Sequence, residues 1–100
     1  MDATIAATVR RNLDQRKSYY AALDWSGVDR IAASGVRITP RHCIMVLLGV
    51  EGFTQAEIGE VFGVGQPCVN KFLREAECAC RVDLELVVLL RQMIDAAQIW

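Results

Sequence analysis

The sequence predicts an all-α fold: a compact helical domain with two short helices meeting at a glycine turn in its centre and an apolar C-terminal helix. Three observations carry this. Apolar residues recur at helical spacing through most of the chain, and no strand-like alternation is sustained. Cap residues, prolines and glycines punctuate those runs at helix starts and stops. The 100 residues are 53% apolar, enough for the core of one domain and far from the composition of a disordered chain. The chain therefore reads as a single helical domain, 1–100.

The elements follow in order. Residues 2–25 read as one amphipathic helix, with Asp2 as N-cap and Ile5, Val9, Leu13, Tyr20 and Leu23 on its apolar side. Ser26-Gly27 breaks it. A short second helix is expected over 28–34, stopped by Gly35. Thr39-Pro40 is a cap followed by proline at the first helical position, and opens a helix over 40–50 rich in apolar residues. Thr54-Gln55-Ala56-Glu57 has capping-box spacing, and its helix runs to Phe62 and stops at Gly63. Gln66-Pro67 starts the next helix, to about Ala79. The segment 82–98 is apolar nearly all round, with Val82, Leu84, Leu86, Val87, Val88, Leu89, Leu90, Met93 and Ile94. One small core does not cover such a helix on every side, so it is assigned as an oligomerisation helix.

Composition narrows the function classes. No apolar run approaches the roughly 18 residues that span a bilayer, and the N-terminal MDATIAATVRRN lacks the basic start and apolar block of a secretory signal. A cytoplasmic location without membrane association is expected. Cys43, Cys68, Cys78 and Cys80 are then expected as free thiols. Cys78 and Cys80, two apart on a helix, point about 200° away from each other and do not converge on a metal. His42 is the single histidine and has no Ser/Asp pattern around it. Gly59, Gly63 and Gly65 follow no strand and precede no Gly-Lys-Ser/Thr, so they do not read as a phosphate loop. No catalytic residue, metal or cofactor is assigned, and an enzyme is not expected.

Net charge is −1, but it is uneven: residues 1–42 carry seven Lys/Arg and four Asp/Glu, and residues 43–100 carry four and eight. Arg10, Arg11, Arg16 and Lys17 cluster on the first helix. They read either as a solvated face or as a patch for flanking phosphates, because phosphate attraction is local.

The segment 55–74, QAEIGEVFGVGQPCVNKFLR, satisfies helix-turn-helix spacing at each structural position. Ile58 and Phe62 lie on one face of the first helix. Gly59 falls where the two helices approach closely. Gly63 falls at the turn, where a positive φ suits glycine. Val64 plugs the turn, and Val69 with Phe72 or Leu73 faces inward from the second helix. The helix-turn-helix is bounded at 54–79. The outward positions are Gln66, Pro67, Asn70, Lys71 and Arg74. Gln and Asn pair with adenine, Lys and Arg with guanine, and Arg74, further along, suits phosphate. Gln55, at the start of the first motif helix, suits phosphate as well.

The stretch RHCIMVLLGVEGFTQAEIGEVFGVGQPCVNKFLREAE, about 37 of the 100 residues, resembles the fourth region of bacterial sigma factors and the related helix-turn-helix of response regulators. The shared pattern is an apolar helix, a Thr-Gln-x-Glu-Ile opening and a Gly-Val turn. The resemblance implies a trihelical unit with its last helix in the major groove of double-stranded DNA. Two features depart from the family: Gly65 stands where a cap serine is usual, and Lys71 and Arg74 are the only cations on the recognition helix. The other sigma regions have no counterpart here. The expected function is sequence-specific binding of double-stranded DNA by a small transcriptional regulator, a homodimer through the C-terminal helix. RNA polymerase or another protein is a further candidate partner. The alternatives are a phage small-terminase-like or recombination component, and a helix-turn-helix adaptor that binds protein without DNA.

Overall fold

A computed structural model describes residues 3–25, 28, 30–31, 35 and 37–97, and the side chains of these except residues 3–11, 30 and 97. Its described elements are helices α1 (Ala3–Ala21), α2 (Pro40–Val50), α3 (Gln55–Phe62), α4 (Gln66–Cys80) and α5 (Leu84–Ala97), with two-residue strands β1 (Arg30–Ile31) and β2 (Arg37–Ile38) between α1 and α2. The domain is all-helical apart from that small antiparallel ladder, which pairs Arg30 with Ile38 and Ile31 with Arg37. The expected cap at Asp2, and the side chains of Ile5, Val9, Arg10 and Arg11, lie outside the described residues.

Two expectations are corrected in the first forty residues. The first helix ends at Ala21, not near Trp25. The Trp25 indole N–H reaches back to donate to the Tyr20 carbonyl at 2.7 Å. It caps a carbonyl of the last helical turn, a role usually filled by the next turn of helix or by water. Within the expected short helix at 28–34, Arg30 and Ile31 instead pair with Ile38 and Arg37 in the β1–β2 ladder, and residues 29 and 32–34 lie outside the described residues. Gly35, expected to stop that helix, has a positive φ of 88° and lies between the two strands.

α2 is the buried spine. His42, Cys43, Ile44, Met45, Leu47 and Leu48 are all buried along it. α1 packs on α2 and α3, α4 packs on the same two helices, and α5 rests on α4 and α2. Tyr20, Val28, Ile38, Ile58, Val69 and Leu86 bring every layer into one core.

α5 is not buried all round. Asp83 caps it, accepting from the Leu86 amide at 3.1 Å. Leu86 and Leu90 enter the core, and Leu89, Met93 and Ile94 pack half-buried against it. Val82, Leu84 and Val88 stand exposed. Among the described residues, no helix is long and apolar enough to cross a membrane.

Candidate nucleic-acid interface

The α3–turn–α4 unit is built from local chemistry. At its start the Glu57 amide donates to Thr54 Oγ1 at 3.2 Å, and the Thr54 amide donates to Glu57 Oε1 at 2.9 Å. Two of the amides left over at a helix start are thereby satisfied, and the Glu57 carboxylate is committed to the fold. At its end Gly63 takes the left-handed conformation, φ 72° and ψ 29°. The Val64 amide donates back to the Gly59 carbonyl at 2.8 Å and closes the turn.

Gly59 is the tight spot. A Cβ there would sit 2.7 Å from the Val64 carbonyl oxygen and 3.3 Å from Val69 Cγ2. The second helix can pack this closely only because the first helix offers bare backbone at that point. Gly65, with φ −77° and ψ 161°, is the extended N-cap of α4 and places Pro67 in the first turn.

α4 is thereby fixed in rotation. Val69, Ala76 and Ala79 are buried beneath it. Gln66, Pro67, Lys71 and Arg74 are exposed on the other side. Asn70 is half-buried between the two faces, and its Nδ2 donates to Gln55 Oε1 at 3.5 Å. Five of the six expected interface residues thus share the outer side of α4 or its edge, and Gln55 joins them from the start of α3. Residues 63–74 contain two cations and no carboxylate. The acids follow later, where Glu77 pairs with Arg81 at 2.8 Å.

Of the four α1 cations read as a solvated face or a phosphate patch, the two whose side chains are described, Arg16 and Lys17, are engaged by the protein itself. Arg16 donates to Glu51 at 2.7 Å and to the Tyr20 hydroxyl at 3.2 Å. The Tyr20 hydroxyl in turn donates to Glu51 at 2.6 Å. Burial, reinforced by the Glu51 hydrogen bond, pushes the Tyr20 hydroxyl up to about 12. The Lys17 ammonium donates to the Val61 carbonyl at 3.3 Å and lies 4.6 Å from the Phe62 ring centroid. A cation at the C-terminal end of α3 is where the helix dipole favours one.

One group escaped the sequence reading. His42 is buried between α2 and α4. Its Nδ1 accepts from the Thr39 amide at 3.1 Å, so the neutral ring carries its proton on Nε2. Nε2 lies 3.6 Å from Glu75 Oε1 and has no hydrogen-bond partner among the described residues. The ring meets Phe72 edge-on at 4.4 Å. Burial lowers the proton affinity of His42, Glu75 partly restores it, and Lys71 lowers it further. Histidine three residues after a Thr-Pro helix start was the available signal, because that spacing lets the ring bond back to the cap.

Cys43 is fully buried, Cys68 and Cys80 are half-buried, and Cys78 is exposed. Burial raises the Cys80 thiol above its ordinary value, with a smaller contribution from Asp83. Among the described residues no three His, Cys, Asp or Glu side chains gather as a metal would require. Compared with known protein families, curated proteins and solved structures, the chain matches none.

Proposed function

We propose that the protein binds double-stranded DNA, laying α4 in the major groove, as a small transcriptional regulator that acts as a homodimer. The observation that supports this reading most is the outer side of α4. Gln66, Asn70, Lys71 and Arg74 project from a helix whose rotation is set by Val69 beneath it and by Gly59 beside it. Amide and cationic side chains on one helix face match the donor and acceptor pattern of base edges and phosphates. The resemblance of 41–77 to sigma region four and response-regulator helix-turn-helices points the same way.

Asn70 holds its amide near Gln55, which limits its rotamers before any duplex arrives. Lys71 follows it along the chain as a base or phosphate contact. Arg74 lies a turn further on and suits the backbone. Replacing Asn70 and Lys71 together by Ala is expected to weaken duplex binding at least tenfold and leave thermal stability within about 1 kcal/mol. Unchanged binding in an electrophoretic shift assay at fixed salt would refute the assignment of this face.

A second reading, a protein-binding adaptor, is favoured by one observation: α4 presents two cations from a chain of net charge −1. Nonspecific duplex affinity is chiefly electrostatic. A shift assay on random duplex at low salt separates the two readings, since an adaptor leaves the duplex unshifted.

A further inference from the structure

The outer face of α5 is organised for a partner of a particular kind. Leu84, Glu85, Val88, Arg91, Gln92 and Asp95 are all exposed, at the three- and four-residue spacing of one helix face. Large apolar side chains exposed among the described residues number five, and three of them, Val82, Leu84 and Val88, lie within one seven-residue stretch. Val88 is 53% exposed and Leu84 77%. The opposite face of the same helix is already anchored by Leu86 and Leu90.

The charges on this face have a symmetry. Glu85 lies three residues before Val88, and Arg91 three residues after it. At a rise of about 1.5 Å per residue, each charge stands about 4.5 Å from Val88 along the axis, in opposite directions. Turn a second α5 antiparallel about a two-fold axis at Val88, and Glu85 of each copy comes level with Arg91 of the other. Leu84 comes level with the methylene stem of Gln92. A parallel pair instead sets Glu85 against Glu85 and Arg91 against Arg91, which repel.

We propose that a second copy of this chain covers this face, α5 against α5 in antiparallel register, with the two-fold axis at Val88. The proposal rests on the homodimer part of the function proposed above and gives it a geometry. The seam is short, with Val88 of each copy at its centre and Leu84 a turn away, so the dimer exchanges with monomer and its population depends on concentration.

The test is sedimentation equilibrium of the full chain over a concentration series, without DNA. Glu85→Arg alone and Arg91→Glu alone each place two like-charged pairs in the seam, and each is expected to raise the dissociation constant by about tenfold or more. Both substitutions together restore opposite charges, and return the constant to within about threefold of the wild type. Val88→Asp, solvent-facing in the monomer, gives a monomer with wild-type circular dichroism. A wild-type chain that stays monomeric throughout the series overturns the proposal, and so does a double reversal that fails to rescue. A monomer that still shifts duplex leaves the DNA reading standing, whereas a dimer that shifts none removes that reading and keeps this one.

Discussion

Arg16 and Lys17 on α1 carry the same charge as Lys71 and Arg74 on α4, yet the fold uses the two pairs in opposite ways. Arg16 is tied to Glu51 and the Tyr20 hydroxyl, joining α1 to the end of α2. Lys17 lies over the Phe62 ring and donates to the Val61 carbonyl, joining α1 to the end of α3. Lys71 and Arg74 stand exposed on a helix whose inner side is filled by Val69, Ala76 and Ala79. Arg16 and Lys17, in the basic part of the sequence, are therefore spent on internal contacts, while Lys71 and Arg74, in the acidic part, are presented. A charge count along a chain measures how much charge there is, and the fold decides where it is available.

The largest effect that tests this contrast is on stability. The Arg16 side chain is only 13% exposed, and its partner Glu51 27%. Arg16→Ala is expected to cost about 1–2 kcal/mol, through hydrogen bonds to a carboxylate that keeps the Tyr20 hydroxyl as its other donor. Lys71→Ala and Arg74→Ala are each expected to stay within about 0.5 kcal/mol. Urea denaturation of the three variants checks the ranking. Duplex binding is expected to order them the other way, Lys71→Ala and Arg74→Ala each lowering the salt slope by about one and Arg16→Ala leaving it unmoved. Equal stability costs, or a salt slope that follows Arg16, would erase the distinction between the two helices.

The same contrast marks what could be read from sequence. Signals that act within a few residues were legible: the Thr54–Glu57 box, the helix start at Pro40, the left-handed Gly63, and the close approach at Gly59. Each depends on backbone geometry that the neighbouring residues set by themselves. What required the fold was every contact that spans tens of residues. Arg16 meets Glu51 across 35 positions, and Lys17 meets Val61 across 44. Arg30 and Ile31, expected in a helix, pair instead with Ile38 and Arg37, partners six to eight residues away that no local signal announces. Leu89 looked like an interface residue when α5 was read as apolar all round, but it packs half-buried against the protein's own core. A charge placed there would damage folding, whereas one at the exposed Val88 would test assembly alone.

His42 extends the comparison to the contact behind α4, where the burying of a titratable group sets a pH dependence. Its proton affinity in the fold is lowered, first by burial, so the unfolded chain binds the proton more readily. Stability therefore rises with pH through the ordinary histidine range and is full above it. It falls as the pH drops below about 6.5, the unfolded value, and levels off once the folded ring is protonated too. Protonation also takes Nδ1 away from the Thr39 amide. The effect is expected to be smaller than that of Arg16→Ala, because Glu75 stands 3.6 Å away and offsets part of it. His42→Asn, whose Oδ1 can replace Nδ1 as acceptor, is expected to flatten the dependence, and Glu75→Gln to steepen it. Urea midpoints measured between about pH 5 and 8 check both. A wild-type profile that is level across that range would mean that the ring titrates as freely in the fold as outside it.

The smallest effect separates glycines that the turn needs from one that it only tolerates. Gly59 has no room for a Cβ, and Gly63 has a positive φ. Gly65 has neither constraint: its backbone is extended, and a Cβ would meet only Pro67 Cδ, at an ordinary 3.6 Å. Serine fits there, and its hydroxyl can accept from the Cys68 amide, which now donates to the Gly65 carbonyl at 3.1 Å, since Pro67 has no amide to offer. Gly65→Ser is therefore expected to stabilise by a few tenths of a kcal/mol, from the cap and from the lost freedom of glycine in the unfolded chain. The α4 cations keep their exposure, so the salt slope of duplex binding should not move. Gly59→Ser, the same chemical change six residues earlier, is expected to destabilise. Thermal melting of the two variants side by side reads the sign directly. If Gly65→Ser also lowers the melting temperature, the turn tolerates no side chain at all, and the freedom assigned to the start of α4 is not there.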